Sequence, residues 1–206
     1  MAEKIDFKKA LKPLYAPPVG TFVQVEAPPL SYLMVDGAGD PNTTAAYREA
    51  VEWLYSVSYP LKFMSKKELG RDYAVMPLEG LWWAEDMSTF ISREKEKWSW
   101  TMMIVQPDWI TPQMVDVAAA KASAKRGKPP ESLRLETLHE GLCVQTMHLG
   151  SYDDEGPVLA RLHDEYLPKN VLVETGHHHE IYIGDPRKTA PERLKTILRQ
   201  PVRPRT

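Results

Sequence analysis

A carboxylate and a phenol stand two positions apart near the end of the sequence, at Glu180 and Tyr182. Residues 177–184 are predicted to form a strand, so both side chains project from the same face. There Glu180 can orient and deprotonate a water molecule, and Tyr182 can donate a proton to a developing oxyanion. We assign this face to an open ligand-binding side and Ile181 and Ile183 to a helix-covered core. A polar face of an antiparallel sheet is also common without any function.

A second carboxylate, Glu79, is predicted to hold the equivalent place in an earlier strand. It is either a second acid of the ligand-binding side or a charge on an edge strand. Two carboxylates in one apolar site differ in proton affinity, which would leave an acid and a base available together.

Aromatic side chains supply most of the other candidate ligand contacts. Trp82 and Trp83 point in opposite directions on a regular strand, so at most one of them lines the ligand-binding side. Aromatic walls hold planar ligands by stacking and cations by about 0.5–2 kcal/mol per ring, but core burial explains each tryptophan equally well. Tyr152, at a predicted strand-to-helix corner, either reaches the ligand or packs locally. The full set of candidate ligand contacts is Glu79, Trp82, Trp83, Trp100, Trp109, Tyr152 and His178.

Three consecutive histidines, at 177–179, are the strongest metal candidate in the sequence. Consecutive side chains on a strand diverge, whereas a zinc site needs three or four convergent ligands. The sequence also contains no phosphate loop, dinucleotide fingerprint or GxSxG motif, so we expect neither a metal nor a cofactor. The single cysteine, Cys143, is predicted to be a buried hydrophobic residue, and it fits a reducing, cytoplasmic compartment.

Composition excludes two classes of partner. A net charge of −2 and a pI near 6.3 argue against binding to nucleic acid, which needs a surplus of basic residues. The basic tail, residues 187–205, is predicted to be a solvated helix and a frayed terminus. No apolar run approaches the roughly 20 residues that span a bilayer, so no membrane partner is expected. We expect a monomer or a homodimer.

Periodicity predicts the elements that position these residues. A long amphipathic helix is expected over residues 42–63, with Pro60 kinking it or ending it early. A hairpin is expected where residues 133–140 and 143–149 meet. The remaining predictions are strands at 31–35, 73–83, 98–106 and 177–184, and helices at 113–126, 158–166 and 191–200.

The second half of the chain repeats the plan of the first. The predicted fold is therefore α+β, with two pseudo-symmetric β-α-β-β modules that form a curved antiparallel sheet backed by helices. We expect an extended arm at residues 1–20, a first module at 21–130 and a second module at 131–206. A cleft where two such halves meet is a usual place for a ligand.

Four segments carry a resemblance to a known family: residues 35–42, 59–63, 78–83 and, most specifically, 178–199. Together they resemble the stand-alone branch of the GyrI-like (gyrase-inhibitor-like) small-molecule-binding family, from about residue 20 onward. The resemblance implies an aromatic-lined cleft with a carboxylate deep inside, and bulky ligands that are often cationic or polycyclic. No helix-turn-helix module is expected, which weakens a transcription-regulator interpretation.

The resemblance implies three alternative functions. Some stand-alone members hydrolyse the cyclopropane ring of DNA-alkylating natural products, and Glu180 and Tyr182 would then be the catalytic residues. Others only bind, which predicts sequestration of aromatic or cationic compounds and a recognition role for Glu180. A third alternative, direct inhibition of gyrase, rests on the family name alone.

Overall fold

The computed structural model describes residues 4–86 and 88–205. In chain order, the strands are β1 (Val23–Ala27), β2 (Leu30–Ala38), β3 (Glu79–Trp83), β4 (Ser99–Gln106), β5 (Arg134–Leu138), β6 (Gly141–Leu149), β7 (Leu172–Glu174), β8 (His178–Tyr182) and β9 (Lys195–Pro204). The α-helices are α1 (Phe7–Ala10), α2 (Lys12–Tyr15), α3 (Ala45–Glu68), α4 (Ser88–Ser92), α5 (Pro112–Arg126), α6 (Gly156–Ala160) and α7 (Leu167–Lys169). Single 3₁₀ turns lie at Lys95–Lys97, Tyr152–Asp154 and Pro191–Arg193, and a π-helical segment at Arg161–Tyr166.

The first of two compact units, unit 1, comprises the described residues up to Ala10 and those of Leu30–Leu138. Its strands pair antiparallel in the order β3-β4-β2-β5. Helix α3 packs on one face of this sheet, where its fully buried Leu54 and Leu61 recur at helical spacing.

Helix α3 is longer than predicted. It continues through Pro60 to Glu68, so the predicted early end is wrong. A proline removes only its own N–H donor and can be accommodated where tertiary packing supports the helix. Helix α5 agrees closely with prediction: the Thr111 hydroxyl caps it by accepting from the Met114 N–H at 3.3 Å, and Gly127 follows its last residue.

The second unit, unit 2, comprises Leu11–Pro29 and the described residues from His139 onward. Its antiparallel strand order is β1-β6-β9-β8, and the short β7 pairs with the far end of β9. The helical residues 156–169 cover one face of this sheet. Their contact is a buried apolar cluster formed by Val144, Leu162, Leu167, Leu172 and Val202.

Three local predictions in the second half of the chain are wrong. The predicted helix at 191–200 is mostly strand β9, because Leu194, Ile197 and Leu198 combine helical spacing with β-branched, strand-favouring neighbours. The basic tail is not a solvated helix: Arg199 is fully buried within β9, although Arg187 and Lys188 are exposed. The predicted hairpin at 133–149 is absent from the described residues, because β5 pairs with β2 whereas β6 pairs with β1 and β9.

The predicted arm, residues 1–20, is locally structured over its described part, residues 4–20. It contains the single turns α1 and α2. Beyond them the chain runs along β6, where the Met147 N–H donates to the Pro18 carbonyl at 3.1 Å and the Gly20 N–H donates to the Met147 carbonyl at 3.0 Å. In the part of the chain described here, no helix is both long enough and apolar enough to cross a bilayer.

The predicted β-α-β-β repeat is confirmed. In unit 1, β4 lies between β2 and β3, and a helix connects β2 to β3. In unit 2, β9 lies between β6 and β8, and helical segments follow β6. The fold is therefore α+β, with antiparallel sheets backed by helices, as predicted.

Candidate functional site

Strand β8 positions the two predicted catalytic residues. Glu180 lies opposite Leu198 of β9, and Leu198 lies opposite Thr146 of β6. Thr146 shares a sheet face with Val144, and Val144 packs against Leu162 of the helical layer. Glu180 therefore lies on the helix-covered face, so its predicted position on an open face is wrong.

The Tyr182 side chain shares that face, and it orients the carboxylate. Its hydroxyl donates a hydrogen bond of 2.8 Å to Oε2 of Glu180. The Glu180 side chain is only 15% exposed, so this bond is formed in a partly desolvated place where it is stronger than in water. Ile181 points to the opposite face, in register with Ile197 and Met147.

Tyr152 adds a second phenol beside the first. It follows the corner at the end of β6, and its ring packs edge-on against Tyr182, with centroids 5.6 Å apart. Burial and the carboxylates of Glu155, Glu180 and Asp185 raise the pKa of Tyr152 to about 12. The phenol therefore keeps its proton at neutral pH and can donate it in a hydrogen bond.

His178 completes the group, which we name the Glu180 cluster: Glu180, Tyr182, Tyr152 and His178. His178 is 9% exposed, and its Nε2 lies 3.5 Å from Oε1 of Glu180. Among the described residues, neither ring nitrogen of His178 has a hydrogen-bond partner. A buried polar atom left in this way costs about 1–3 kcal/mol, which a ligand or a water can recover by binding there.

The opposite face of the same sheet carries a buried ionic network. Arg199 donates to Oε2 of Glu140 at 3.0 Å and to Oε1 of Gln145 at 3.0 Å. His179 shares a 2.9 Å hydrogen bond with Oε1 of Glu140. Burial alone would raise the pKa of Glu140, but the charges and hydrogen bonds of His179 and Arg199 outweigh it and lower the pKa to about 2.

The same network fixes the N-terminal segment of unit 2. The Pro13 carbonyl accepts from the Gln145 amide at 2.7 Å, and the Leu14 carbonyl accepts from Arg199 at 2.9 Å. Residues 13 and 14 thus lie on the face of the unit 2 sheet opposite Glu180. The sequence carried no sign of this network, because a buried arginine is recognisable only through its tertiary partners.

Two of the predicted ligand contacts in unit 1 belong to its packed core. Trp82 is 4% exposed and Trp100 is fully buried, and both rings contact Tyr47 of α3. Space for Trp100 comes from Gly37, where a Cβ would lie 2.1 Å from the indole. Trp83 projects from the other face and is only partly buried, which agrees with the expectation that the neighbours diverge.

Glu79 does not hold the place of Glu180, so the predicted equivalence is wrong. Glu79 pairs with Met103, and Met103 pairs with Met34, in the row that corresponds to His179, Arg199 and Gln145 of unit 2. The residue that corresponds to Glu180 is Gly80. A shift of one residue along a strand moves a side chain to the opposite face.

Trp109 lies in a separate aromatic group. Its indole N–H donates to the Ser65 hydroxyl at 2.9 Å, and its ring contacts Phe7, Tyr73 and the Arg71 guanidinium. This group packs the end of α3 against the N-terminal turn. A role in ligand binding for Trp109 stays a prediction.

The Glu180 cluster offers acid–base chemistry. It contains a carboxylate held by a phenol, a second phenol that keeps its proton, and a buried imidazole. In the part of the chain that the structure describes, no three His, Cys, Asp or Glu side chains are grouped to hold a metal ion. Cys143 is fully buried, and burial together with Glu140 raises the pKa of its thiol to about 12, which makes it a poor nucleophile.

A duplicated α+β fold with an aromatic and acidic cluster under its helices defines a ligand-binding class. Residues 21–203 match the GyrI-like small molecule binding domain. The chain therefore belongs to the GyrI-like family, as the sequence resemblance implied. No curated protein matches the chain.

Solved structures support this assignment. An uncharacterised conserved protein from Listeria innocua is 38% identical, with a TM-score of 0.87, over 97% of this chain and 100% of its own. A hydrolase from Listeria innocua is 37% identical, with a TM-score of 0.86, over 98% of this chain and 100% of its own. The C-terminal domain of EcmrR shares the fold at 13% identity, with a TM-score of 0.56, over 89% of this chain and 98% of its own.

Proposed function

We propose that this protein binds bulky polycyclic aromatic compounds and hydrolyses the cyclopropane ring of genotoxic members of that class, which detoxifies them. The observation that carries the proposal is the partly desolvated Glu180 carboxylate, held at 2.8 Å by the Tyr182 hydroxyl and flanked by Tyr152. A Listeria innocua protein of 37% identity that is named a hydrolase supports hydrolytic chemistry.

In the proposed reaction, Glu180 takes one proton from a water molecule as the water oxygen attacks a ring carbon. A carbon–carbon bond of the cyclopropane breaks, and its electron pair moves through the conjugated system onto a carbonyl oxygen. The attacked carbon gains a hydroxyl, and the oxygen that received the electron pair leaves as a phenolate. After release the phenolate takes a proton from solvent, so the product gains one water in all. Proton transfer to a positioned base contributes typically 10²–10⁴-fold to such a rate.

The two tyrosines stabilise the oxygen that gains charge. Tyr182 turns its hydroxyl from Glu180 to the new oxyanion once Glu180 has been protonated. Tyr152 keeps its proton at neutral pH, because its pKa is raised to about 12, and it provides a second donor on the same side. Donors of this kind act strongest in a water-poor site.

A binding protein without chemistry is the second candidate. It is favoured by the three carboxylates whose charges reach Tyr152, namely Glu155, Glu180 and Asp185. Carboxylates beside aromatic rings recognise a cation by charge pairing and by cation–π attraction. In this function Glu180 contributes to affinity, and the compound leaves unaltered.

The deciding experiment is incubation of the protein with a cyclopropane-bearing, duocarmycin-like compound, followed by mass spectrometry of the compound. We expect the gain of one water with the wild type and a rate lower by roughly 10²–10⁴-fold with Glu180→Gln. The matched control, Glu79→Gln, should retain turnover because Glu79 lies in unit 1 and corresponds to His179. Unmodified compound that still co-purifies with the protein would establish the binding function instead.

We also propose a cytoplasmic location. The support is Cys143, which is a free thiol in the structure and the single cysteine of the sequence. Proteins of oxidising compartments generally use their cysteines in disulfides.

A further inference from the structure

His178 lies in a buried position beside Glu180, and the binding of a ligand by Glu180 does not explain why an imidazole is placed there. It is a nearly buried imidazole with two nitrogens that lack partners among the described residues, and one of them lies 3.5 Å from Oε1 of Glu180. Oε2 of Glu180 is already engaged by Tyr182. The two carboxylate oxygens are thus divided between a phenol and an imidazole.

A second, more exposed pair of titratable groups lies near enough to His178 for the His178 charge to act on it. Nδ1 of His163 is 2.6 Å from Oε1 of Glu174, and the side chains of these residues are 31% and 49% exposed. The pKa of Glu174 is lowered, chiefly by its hydrogen bond with His163 and in part by the charge of His178. His163 projects from the π-helical segment, a local widening of the helix that often occurs at functional sites.

We propose that His178 is a proton relay that returns Glu180 to its ionised form after each turnover, by passing the proton of the attacking water towards the His163–Glu174 pair and solvent. This inference rests on the proposed hydrolysis. His178 acts through Glu180 and is a positioning residue of the reaction, since the attack on the ring does not involve it.

The geometry identifies His178 as the acceptor, because its Nε2 lies 3.5 Å from the carboxylate oxygen of Glu180 that Tyr182 does not engage. After the attack, Glu180 holds the proton from water and must lose it before the next turnover. Tyr182 still carries its own proton when it only donates a hydrogen bond to the oxyanion, so it cannot accept another. A neutral imidazole accepts a proton at one nitrogen and releases one from the other, so His178 can take it at Nε2 and release one from Nδ1.

The test separates the chemical step from its reset. With the duocarmycin-like compound, His178→Gln should keep a single-turnover rate within about twofold of wild type, while its steady-state kcat falls by roughly tenfold or more. Imidazole added to the buffer should restore much of the lost kcat. His177→Gln, at the exposed neighbouring position, is the matched control and should change neither rate.

A second variant guards against loss of folding in His178→Gln. Glu174→Gln alters the exposed end of the relay and should also lower the steady-state rate more than the single-turnover rate. Equal losses in both rates, or unchanged kcat in both variants, would overturn the relay while leaving the proposed hydrolysis intact. Absence of any turnover in the wild type would overturn the hydrolysis and the relay together.

Discussion

Units 1 and 2 place different side chains on matching strand positions. Next to the strand-to-helix corner, the cross-strand row of unit 1 consists of Gly37, Trp100 and Trp82. The corresponding row of unit 2 consists of His148, Thr196 and Tyr182. In unit 1, two indoles occupy the space under the helix and the third residue of the row is glycine. In unit 2, all three residues of the row have polar side chains smaller than an indole.

The adjacent rows show the same contrast. Gly80 of unit 1 corresponds to Glu180 of unit 2, so a side chain is absent at the position where unit 2 has its carboxylate. On the opposite faces, the row Met34, Met103 and Glu79 of unit 1 corresponds to Gln145, Arg199 and His179 of unit 2. The comparison teaches that a duplicated backbone can carry an apolar, tightly packed row in one copy and a polar row in the other.

Replacing Arg199 by Met gives unit 2 the residue of unit 1 at this position, and we expect the largest loss of stability from it. The change leaves Glu140 buried without its guanidinium partner. Removing one partner of a buried ion pair costs about 3–5 kcal/mol. Urea denaturation followed by circular dichroism measures the free energy of unfolding.

Two further variants control this prediction. Met103→Leu replaces one apolar side chain by another of similar volume in the matching row of unit 1. It should lower the free energy of unfolding by less than about 1.5 kcal/mol. The double variant Arg199→Met, Glu140→Leu removes the stranded carboxylate and should be more stable than Arg199→Met. If Arg199→Met and Met103→Leu were equally stable, the ion pair of Arg199 would add no more to the free energy of unfolding than a methionine at that position.

Acidification should reduce the stability that the buried ionic network around Glu140 provides. The pKa of Glu140 is lowered from 4.5 to about 2 in the folded protein. Its stabilisation is therefore complete above about pH 4.5 and is lost as the pH falls towards 2, by roughly 3 kcal/mol. Thermal or urea unfolding between pH 5 and pH 2, compared for wild type and Glu140→Gln, measures this difference.

Asp185→Asn is the control for the acid experiment. The pKa of Asp185 is also lowered to about 2, by its hydrogen bonds with Arg187, but solvent screens this exposed pair. Its acid curve should therefore follow that of wild type. Should Glu140→Gln lose stability with acid as steeply as wild type, another carboxylate must be responsible.

Gly37→Ala tests the packing of unit 1, and we expect a smaller effect. The new methyl group would lie 2.1 Å from the Trp100 indole, and overpacking of this kind costs typically 1–3 kcal/mol. Gly156→Ala in α6 is the control, because a Cβ there meets no atom within 4 Å. A melting temperature for Gly37→Ala equal to that of the control would contradict the tight fit of Trp100.

The sequence was sufficient to predict the secondary-structure elements that have a single, strong periodic pattern. Helices α3 and α5, strands β2, β4 and β8, and the repeat itself followed from spacing and from capping residues. Strand β9 was mistaken for a helix because its apolar residues suit both periods. The pairings of β5 and β6 were missed because they join residues far apart in the chain, which local pattern does not encode.

The proximity of Glu180 and Tyr182 in the candidate site was predicted from the sequence, but the sheet face that carries them was not. Glu180 and Tyr182 were placed together correctly because residues two apart on a strand share a face. Which face the helices cover depends on the register of β6, β8 and β9. A register error of one residue also led to Glu79, rather than Gly80, being predicted as the counterpart of Glu180. The burial of Arg199 and the contacts of His178 depend on partners from other elements.

Unit 2 is assembled from both ends of the chain, and this has a consequence during protein synthesis. The hydrogen bond from Arg199 to the Leu14 carbonyl joins residues 185 positions apart. Residues 30–138, which form nearly all of unit 1, leave the ribosome before β6, β8 and β9 exist, so unit 1 can fold first. Residues 11–29 remain without their partners in β6 and β9 until the last strand emerges, so completion of unit 2 is expected to be the late and slow event in folding.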